Sequence, residues 1–402
     1  MLSATSVPVI EATLPVVGEN INEIAQRFYQ HLFETHPELL DGVFNRGNQA
    51  DGHQQQALAG SIAAFASMLV NNPGQLPESL LSRISHKHVS LGIKPDQYQV
   101  VHDNLFWAIT DVLGDAVTPE VAAAWDEVYW LMANTLVNLE RGLYDAVGLS
   151  PDTVWRSWRL AERIRETEDV TTFVVERTDD RDVKPSLPGQ YVTLQMPVSD
   201  GAHQPRQYSL TRADDGHHRW FAVKRVQGGG TPDGEVSSLL LDTLKIGDEV
   251  ILSAPFGDVV LDTTGRPVVF ASAGIGVTPM AGMISHLAQT GSGRQILFLH
   301  AGTSPDSFAL RDQVRSDLES LPQAAMITWY EQGMENRATS GDERSGFMDA
   351  TAVDLPSDAV YYLCGPLAFM QVVRQQLLGL GVAPRDIQYE VFGPDLWQAD
   401  YE

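Results

Sequence analysis

The chain holds a single cysteine, Cys364, among its 402 residues. An internal disulfide is therefore excluded, as expected of a protein kept in a reducing compartment. Basic residues are scarce: 27 Lys and Arg stand against 52 Asp and Glu, a net charge of −25 and a pI near 4.7. Nucleic acids and anionic membrane surfaces need basic patches, so neither fits as a partner. The acidity is not confined to a tail, since residues 1–150 carry −11 and the remainder −14; solubility is its plainest use. No stretch approaches the roughly 18 consecutive apolar residues of a membrane span. No basic residue precedes Arg27, so the start lacks the charged region of a secretory signal. These absences point to the cytoplasm. Repeats and low-complexity segments are missing as well. What is present is 43% hydrophobic and 20% charged residues, the makeup of a folded globular chain long enough for two or three domains.

The hydrophobic period changes twice along the chain. Residues 1–148 run at helical spacing, with stripes at Ile21, Ile24, Phe28, Leu32, at Leu58, Ile62, Phe65, Leu69, and at Val121, Trp125, Val128, Leu131, Leu136, Leu139. Pro37, Gly52, Asn72-Pro73-Gly74, Lys94-Pro95 and Thr118-Pro119 punctuate them. This part reads as all-α. Gly148-Leu149-Ser150-Pro151 ends it, and alternating strands follow at 171–175, 190–196, 208–211, 220–225 and 249–253. Those predict a small antiparallel β-barrel. From Arg266 strands and helices alternate, with strands at 267–271, 295–300, 325–329 and 360–364. That order predicts a parallel, doubly wound α/β sheet. The expected domains are 1–148, 152–263 and 264–402.

Two histidines compete for chemistry in the helix Leu80–Leu91. Residues two apart on a helix point about 200° apart, so His86 and His88 cannot serve one pocket. His88 shares the face of Leu81, Ile84 and Leu91, whereas His86 shares that of Ser82, Arg83 and Ser90. A neutral imidazole on an apolar face suits an axial haem ligand. It equally suits a core histidine bonded to a backbone carbonyl, and spacing alone leaves both open.

Ala271-Ser272-Ala273-Gly274-Ile275-Gly276-Val277-Thr278-Pro279-Met280 follows a buried strand and opens a helix. The third glycine of the usual dinucleotide motif is absent. The two that remain would still let the backbone approach a pyrophosphate at a helix N-terminus.

Residues 1–148 resemble the globin domain of bacterial flavohaemoglobins, a family of nitric oxide dioxygenases. The resemblance is carried by Phe28-Tyr29, Phe44-Asn45 with Asn48-Gln49, Lys87-His88 with Ser90, and Ile93-Lys94-Pro95 with Gln97-Tyr98. It implies haem b with iron bound by His88. It further implies that Tyr29 and Gln54 lie on the opposite, distal side of the haem, that Leu58 lies over the iron, and that Tyr98 and Glu140 stand behind the proximal histidine. A carboxylate on the second imidazole nitrogen would give the ring partial imidazolate character and favour oxygen activation over storage. The run Ala50–Gln56 leaves His53 as a rival distal residue.

Arg206-Gln207-Tyr208-Ser209-Leu210-Thr211 resembles the Arg-x-Tyr-Ser motif of ferredoxin-reductase-like flavoproteins. The resemblance implies FAD along this strand: Arg206 on the pyrophosphate, where a bidentate fork suits phosphate, Tyr208 and Ser209 on the flavin, and Tyr191 of Pro188-Gly189-Gln190-Tyr191 on the family's other flavin-side strand. Gln207, Val236, Ser237 and the flavin-shielding Phe392 complete the implied FAD set. The loop Gln227–Asp233 is longer than the family's usual link. The nicotinamide set implied is Gly274, Ile275, Gly276, Val277, Thr278, Pro279, Cys364, Gly365 and Pro366. No arginine follows His300, where Ala301-Gly302-Thr303-Ser304 stands instead, so NADH is expected over NADPH. An electron-transfer junction is implied at Lys87 and Glu390.

The activity implied is nitric oxide dioxygenation, with electrons passing from NAD(P)H through FAD to haem, flavin turning a two-electron donor into single-electron steps. Its small-molecule partners are O2, NO and NAD(P)H, and the chain is expected as a monomer or a dimer. Two alternatives stand beside it: an oxygen-binding or sensing haemoprotein with an attached reductase, and an NADH-dependent flavin or ferric reductase carrying the globin as an appendage.

Overall fold

The computed structural model describes residues 1–44, 53–72, 76, 78–228, 233–333, 342–393 and 397; the side chains of residues 53, 54, 59 and 78–80 also lie outside the description. The chain divides into two compact units, Met1–Trp155 with Gln195–Arg206, and Arg156–Leu194 with Gln207–Phe392.

The first unit is built from α1 (Val7–Thr35), α2 (His53–Asn71), α3 (Glu78–Leu91), α4 (Gln97–Leu113) and α5 (Pro119–Val147). The predicted stripes face one core, in which Ile24, Phe28, Leu32, Phe65, Leu69, Trp125, Val128 and Leu136 are buried. Helix α5 begins and ends where its sequence says it should. Thr118 caps it by accepting from the Val121 N–H, with Pro119 next in line, and Gly148 closes it in the left-handed conformation. Helix α3 ends in a Schellman motif at Gly92, whose φ is +74°. The Ile93 N–H donates to the His88 carbonyl at 3.1 Å and the Gly92 N–H to that of Val89 at 3.2 Å. The cap therefore fixes the backbone that carries His88. A Cβ on Gly92 would meet the Pro151 carbonyl oxygen at 3.0 Å.

The barrel sheet contains β1 (Trp155–Arg165), β2 (Val170–Arg177), β3 (Tyr191–Pro197), β4 (His203–Ser209), β5 (His218–Lys224) and β6 (Glu249–Ser253), in the order β4-β3-β6-β1-β2-β5. A bridge from Leu210 to Phe221 joins its outer strands and closes the barrel. A short helix, α6 (Glu235–Asp242), follows the Gly-rich loop.

The last sheet contains β7 (Val268–Ala273), β8 (Ile296–Gly302), β9 (Ala324–Tyr330), β10 (Glu343–Ser345), β11 (Val360–Cys364) and β12 (Ile387–Glu390). Their order is β10-β9-β8-β7-β11-β12, and each adjacent pair is parallel. Helices α7 (Val277–Gln289), α8 (Arg311–Glu319) and α9 (Leu367–Gly379) cover it. The order reverses between β7 and β11, so their C-terminal ends form the switch-point crevice where such sheets bind ligands.

On one face β7 and β8 run apolar, apolar, polar toward that crevice, as Val268-Phe270-Ser272 and Ile296-Phe298-His300. His300 is fully buried, its Nδ1 is 2.9 Å from the Ser272 Oγ, and burial lowers its pKa from 6.5 to about 3. The folded protein thus binds this proton less readily than the unfolded chain. Stability associated with His300 is intact above pH 6.5 and declines as pH falls toward about 3. Denaturant midpoints measured across that window are expected to fall less steeply in His300→Phe than in the parent; equal slopes would assign the acid sensitivity to other groups.

Candidate functional site

The proximal side of the helical unit centres on His88. Its Nδ1 lies 2.8 Å from Glu140 Oε1 and 2.9 Å from the Tyr98 hydroxyl. The Tyr98 O–H donates to the same Glu140 oxygen at 2.5 Å. An ionised carboxylate only accepts, so the proton of the imidazole resides on Nδ1 and the lone pair on Nε2. Nε2 has no protein hydrogen bond among the described residues, as an axial ligand requires. Glu140 is 3% exposed, so its charge acts in a medium of low polarity. Burial first, and then the Glu140 charge, push the Tyr98 phenol far above its usual range and keep it a donor. The Tyr129 O–H donates to the Tyr98 carbonyl at 2.6 Å, fixing the start of α4.

Three elements thus converge on one imidazole: α3 brings His88, α4 brings Tyr98 and α5 brings Glu140. His86, two residues before His88, takes no part in this triad. Tyr29 is buried on α1, its ring 5.7 Å from Phe33 and 5.9 Å from Phe44, and Leu58 packs against the same core from α2. Gln54 and His53 begin α2, but their side chains, like Asn45, Asn48 and Gln49, lie outside the described residues. A half-buried imidazole whose second nitrogen has no partner among the described residues, backed by a buried carboxylate, fits a haem.

In the second unit, Tyr208 and Ser209 end β4, and Tyr191 begins β3. The Leu210 N–H donates to the Gln190 carbonyl at 2.9 Å, tying the two implied flavin segments together. Tyr208 stacks on Phe221 at 5.4 Å, and the Gln207 amide donates to the Thr193 hydroxyl at 3.4 Å. Arg206, on the part of β4 that belongs to the first unit, is half-buried. Phe392 is 51% exposed. Val236 and Ser237 are buried in α6, and the Ser237 hydroxyl serves the helix start by donating to the Gly234 carbonyl. Residues 229–232 of the long loop lie outside the description.

Sequence reasoning missed Gly257. Its φ is +139°, and a Cβ there would lie 3.3 Å from the Tyr191 ring, so the backbone passes flat against that tyrosine. The signal was present in Pro255-Phe256-Gly257, a proline and a glycine shortly after a strand.

At the crevice, Gly276 is the glycine that sterics demand. A Cβ on it would lie 2.3 Å from the Cys364 carbonyl oxygen and 2.8 Å from the Gly365 nitrogen, so the loop after β7 rests on the end of β11. Gly274 supplies φ +54°. These two segments, far apart in sequence, are brought together as the resemblance implies. Val277, Thr278 and Pro279 are buried, and the Thr278 hydroxyl donates to the Ile275 carbonyl at 3.0 Å. Gly274, Ile275 and Gly365 are half-buried there, and Pro366 is exposed. Cys364 is buried, and burial together with the nearby Glu390 pushes its thiol well above the usual range. Lys87 on α3 and Glu390 at the end of β12 belong to different units.

The chain matches the globin family over residues 26–136, the oxidoreductase FAD-binding domain over 157–260 and the oxidoreductase NAD-binding domain over 270–375. A globin joined in one chain to an FAD- and NAD-binding oxidoreductase module is the class that this fold and these sites define. A flavohemoprotein of Rhizobium meliloti is 38% identical over 99% of this chain and 100% of its own length. The crystal structure of a flavohemoglobin from Malassezia yamatoensis, with bound FAD and heme, superposes with a TM-score of 0.89 at 38% identity, covering 98% of this chain and 100% of that one. The FAD/NAD-binding domain of a nitric oxide dioxygenase from Vibrio cholerae is similar over 60% of this chain and 99% of its own, with TM-score 0.55 and 35% identity. The chain belongs to the flavohemoprotein family. Among the described residues no helix is long and apolar enough to cross a membrane.

Proposed function

We propose that the protein is an NAD(P)H-dependent nitric oxide dioxygenase, with NADH as the preferred donor. The observation that carries the reading is the triad on His88. An imidazole that donates to a buried carboxylate is an electron-rich ligand, which favours activation of bound oxygen; a carrier gains nothing from it. Bound haem and FAD would supply, respectively, an iron for dioxygen and the passage from hydride to single electrons.

The chain's own residues then divide the work. His88 offers Nε2 to the metal, and Glu140 and Tyr98 hold the ring's tautomer and orientation. Tyr29 provides a phenol in the apolar distal core that can donate to polarised oxygen, while Leu58 covers that side. Arg206 offers a bidentate fork to a pyrophosphate, and Tyr191, Tyr208 and Ser209 line the flavin strands. Gly274 and Gly276 allow the dinucleotide's phosphates close to the loop after β7, and the absence of a cation after His300 supports NADH. The globin is assigned to 1–148, the FAD barrel to 152–263 and the nicotinamide domain to 264–402.

The net reaction consumes one NADH, two NO and two O2, giving two nitrate, NAD+ and a proton. Isotopically labelled dioxygen is the test. Nitrate carrying both labelled atoms is expected; nitrite or nitrous oxide as the main product contradicts the assignment.

A further inference from the structure

Within the second unit the barrel meets the nicotinamide domain along α7, where a Cβ on Gly282 would lie 2.2 Å from the Leu210 carbonyl oxygen and the Ala213 N–H donates to the Ser285 hydroxyl at 3.2 Å, and again through one face of α8 with the two residues before it. Leu310 sits at the N-terminus of α8 with φ 59° and ψ 17°, a left-handed conformation that costs a non-glycine residue free energy. It is 1% exposed. Its N–H donates across to the barrel's Glu166 Oε2 at 3.1 Å, and Glu166 is itself held from the other side by the Thr172 hydroxyl on Oε1 at 2.7 Å. The carboxylate therefore meets the positive end of the helix, and this hydrogen bond helps hold the strained residue in place.

The contact continues along the same face. Gln313, three residues on, donates its amide to the Thr211 carbonyl at 2.5 Å. Asp317, four further, lies 3.5 Å from the Arg212 guanidinium. Spacings of three and four put all three on one side of a helix. Thr211 and Arg212 directly continue the strand that carries Tyr208 and Ser209. Ala309 packs with Val170 and Ala222 of the barrel and with Ile275 of the loop after β7. One helix face thus grips the flavin-side strand while the residue before it touches the dinucleotide loop.

Hydride transfer depends steeply on how far apart and how well aligned the reacting atoms are. We propose that Glu166 is a positioning residue for hydride transfer: through the Leu310 amide it docks α8 on the barrel and sets the nicotinamide site against the flavin site. The inference rests on the NADH-to-FAD reading above. In the step itself the C4–H bond of the dihydronicotinamide breaks and its electron pair forms the N5–H bond of the flavin. The products are NAD+ and anionic reduced flavin. Glu166 touches neither partner.

The test is anaerobic stopped-flow reduction of the flavin in the full-length holoprotein, which is independent of NO and of haem turnover. For Glu166→Ala the limiting rate at saturating NADH is expected to fall by about tenfold to a hundredfold, with NADH dissociation constant and FAD content unchanged. Glu166→Gln keeps an acceptor for the Leu310 amide and is expected to recover most of the rate. Gln313→Ala removes a second tether without touching Glu166 and is expected to slow the same step, which keeps the test usable if Glu166→Ala does not fold. Hydrogen exchange in the nucleotide-free protein supplies a readout apart from activity: the Leu310 amide is expected to lose protection in Glu166→Ala and keep it in Glu166→Gln. Unchanged limiting rates overturn the assignment. So does a loss confined to NADH affinity or FAD content, or a glutamine variant as impaired as the alanine one. Failure of the wild-type flavin to be reduced by NADH would instead overturn the underlying reading.

Discussion

Replacing His88 with alanine is expected to abolish NADH-dependent NO consumption while leaving NADH-driven reduction of artificial dyes at the wild-type rate. The two activities separate because the His88 triad lies in the first unit, whereas Tyr191, Tyr208, Ser209 and the dinucleotide loop lie in the second. The ligand side of the reaction depends on one nitrogen, Nε2 of His88, which has no partner among the described residues, while Nδ1 is committed to Glu140 at 2.8 Å and to Tyr98 at 2.9 Å. Alanine removes that nitrogen and leaves the buried Glu140 and Tyr98 paired with each other through their own 2.5 Å hydrogen bond. That surviving pair limits the damage to the fold, since the carboxylate is not left without a donor. Tyr191, Tyr208, Ser209 and the crevice at Gly276 lie in the second unit and keep their local contacts. Exogenous imidazole is expected to restore a haem absorption spectrum to the variant, though not full activity, because a free ring is not oriented by α3. Loss of dye reduction in parallel with NO consumption would mean that the globin is required for the reductase to function, contrary to the division of labour proposed.

Changing Glu140 to glutamine is expected to lower NO turnover by about 10- to 100-fold, the usual cost of removing a partner behind a metal-bound histidine. Glutamine preserves the size of the side chain and can still accept from Nδ1–H. What it removes is the charge that makes the imidazole electron-rich. The companion expectation is a rise in the haem reduction potential, because the ferric state loses the stabilisation of a more anionic ligand. Tyr98→Phe leaves the carboxylate without its phenol donor but keeps the charge, so its effect should be smaller than that of Glu140→Gln. These variants also separate the alternatives. A haemoprotein that only stores or senses oxygen needs no electron-rich ligand, so unaltered turnover and potential in Glu140→Gln would favour that reading.

The helical period, the caps at Thr118 and Gly148, and the choice of His88 over His86 were legible because each is local. A cap is a matter of a few consecutive residues, and a helix face follows from spacing alone. Strand β1 was not legible. Trp155–Arg165 reads as charged, and its alternation is interrupted by a bulge between Leu160 and Glu162. One of its charges, Arg163, turns inward to donate to the Leu241 and Leu244 carbonyls at the end of α6, a task for which a single strand's sequence gives no hint. The start of β4 at His203 was missed for a similar reason, since Pro205 argues against a strand while leaving an outer position open. Edge strands β10 and β12 are too short for a period to emerge.

The site was legible unevenly. Tyr98 and Glu140 lie 10 and 52 residues from His88, so their convergence came from resemblance and not from spacing. Gly276 could be read as a glycine of the dinucleotide loop, but its reason, the Cys364 carbonyl oxygen 2.3 Å from where a Cβ would stand, exists only once β7 and β11 are neighbours. Val277, Thr278 and Pro279 belong to the same motif and are buried at the start of α7, one of the helices that cover the sheet. The docking of Leu310 on Glu166 left no signal at all, as 144 residues separate them and nothing in the string Phe308-Ala309-Leu310 marks a left-handed residue.

The most direct measurement is the rate at which the holoprotein, loaded with haem and FAD, removes NO in aerated buffer with and without NADH, with nitrate determined in the same samples. The account predicts NO loss that requires NADH, far exceeds autoxidation, yields two nitrate for each NADH consumed and disappears in His88→Ala. Holoprotein containing both cofactors whose NO uptake is no faster than autoxidation would contradict it.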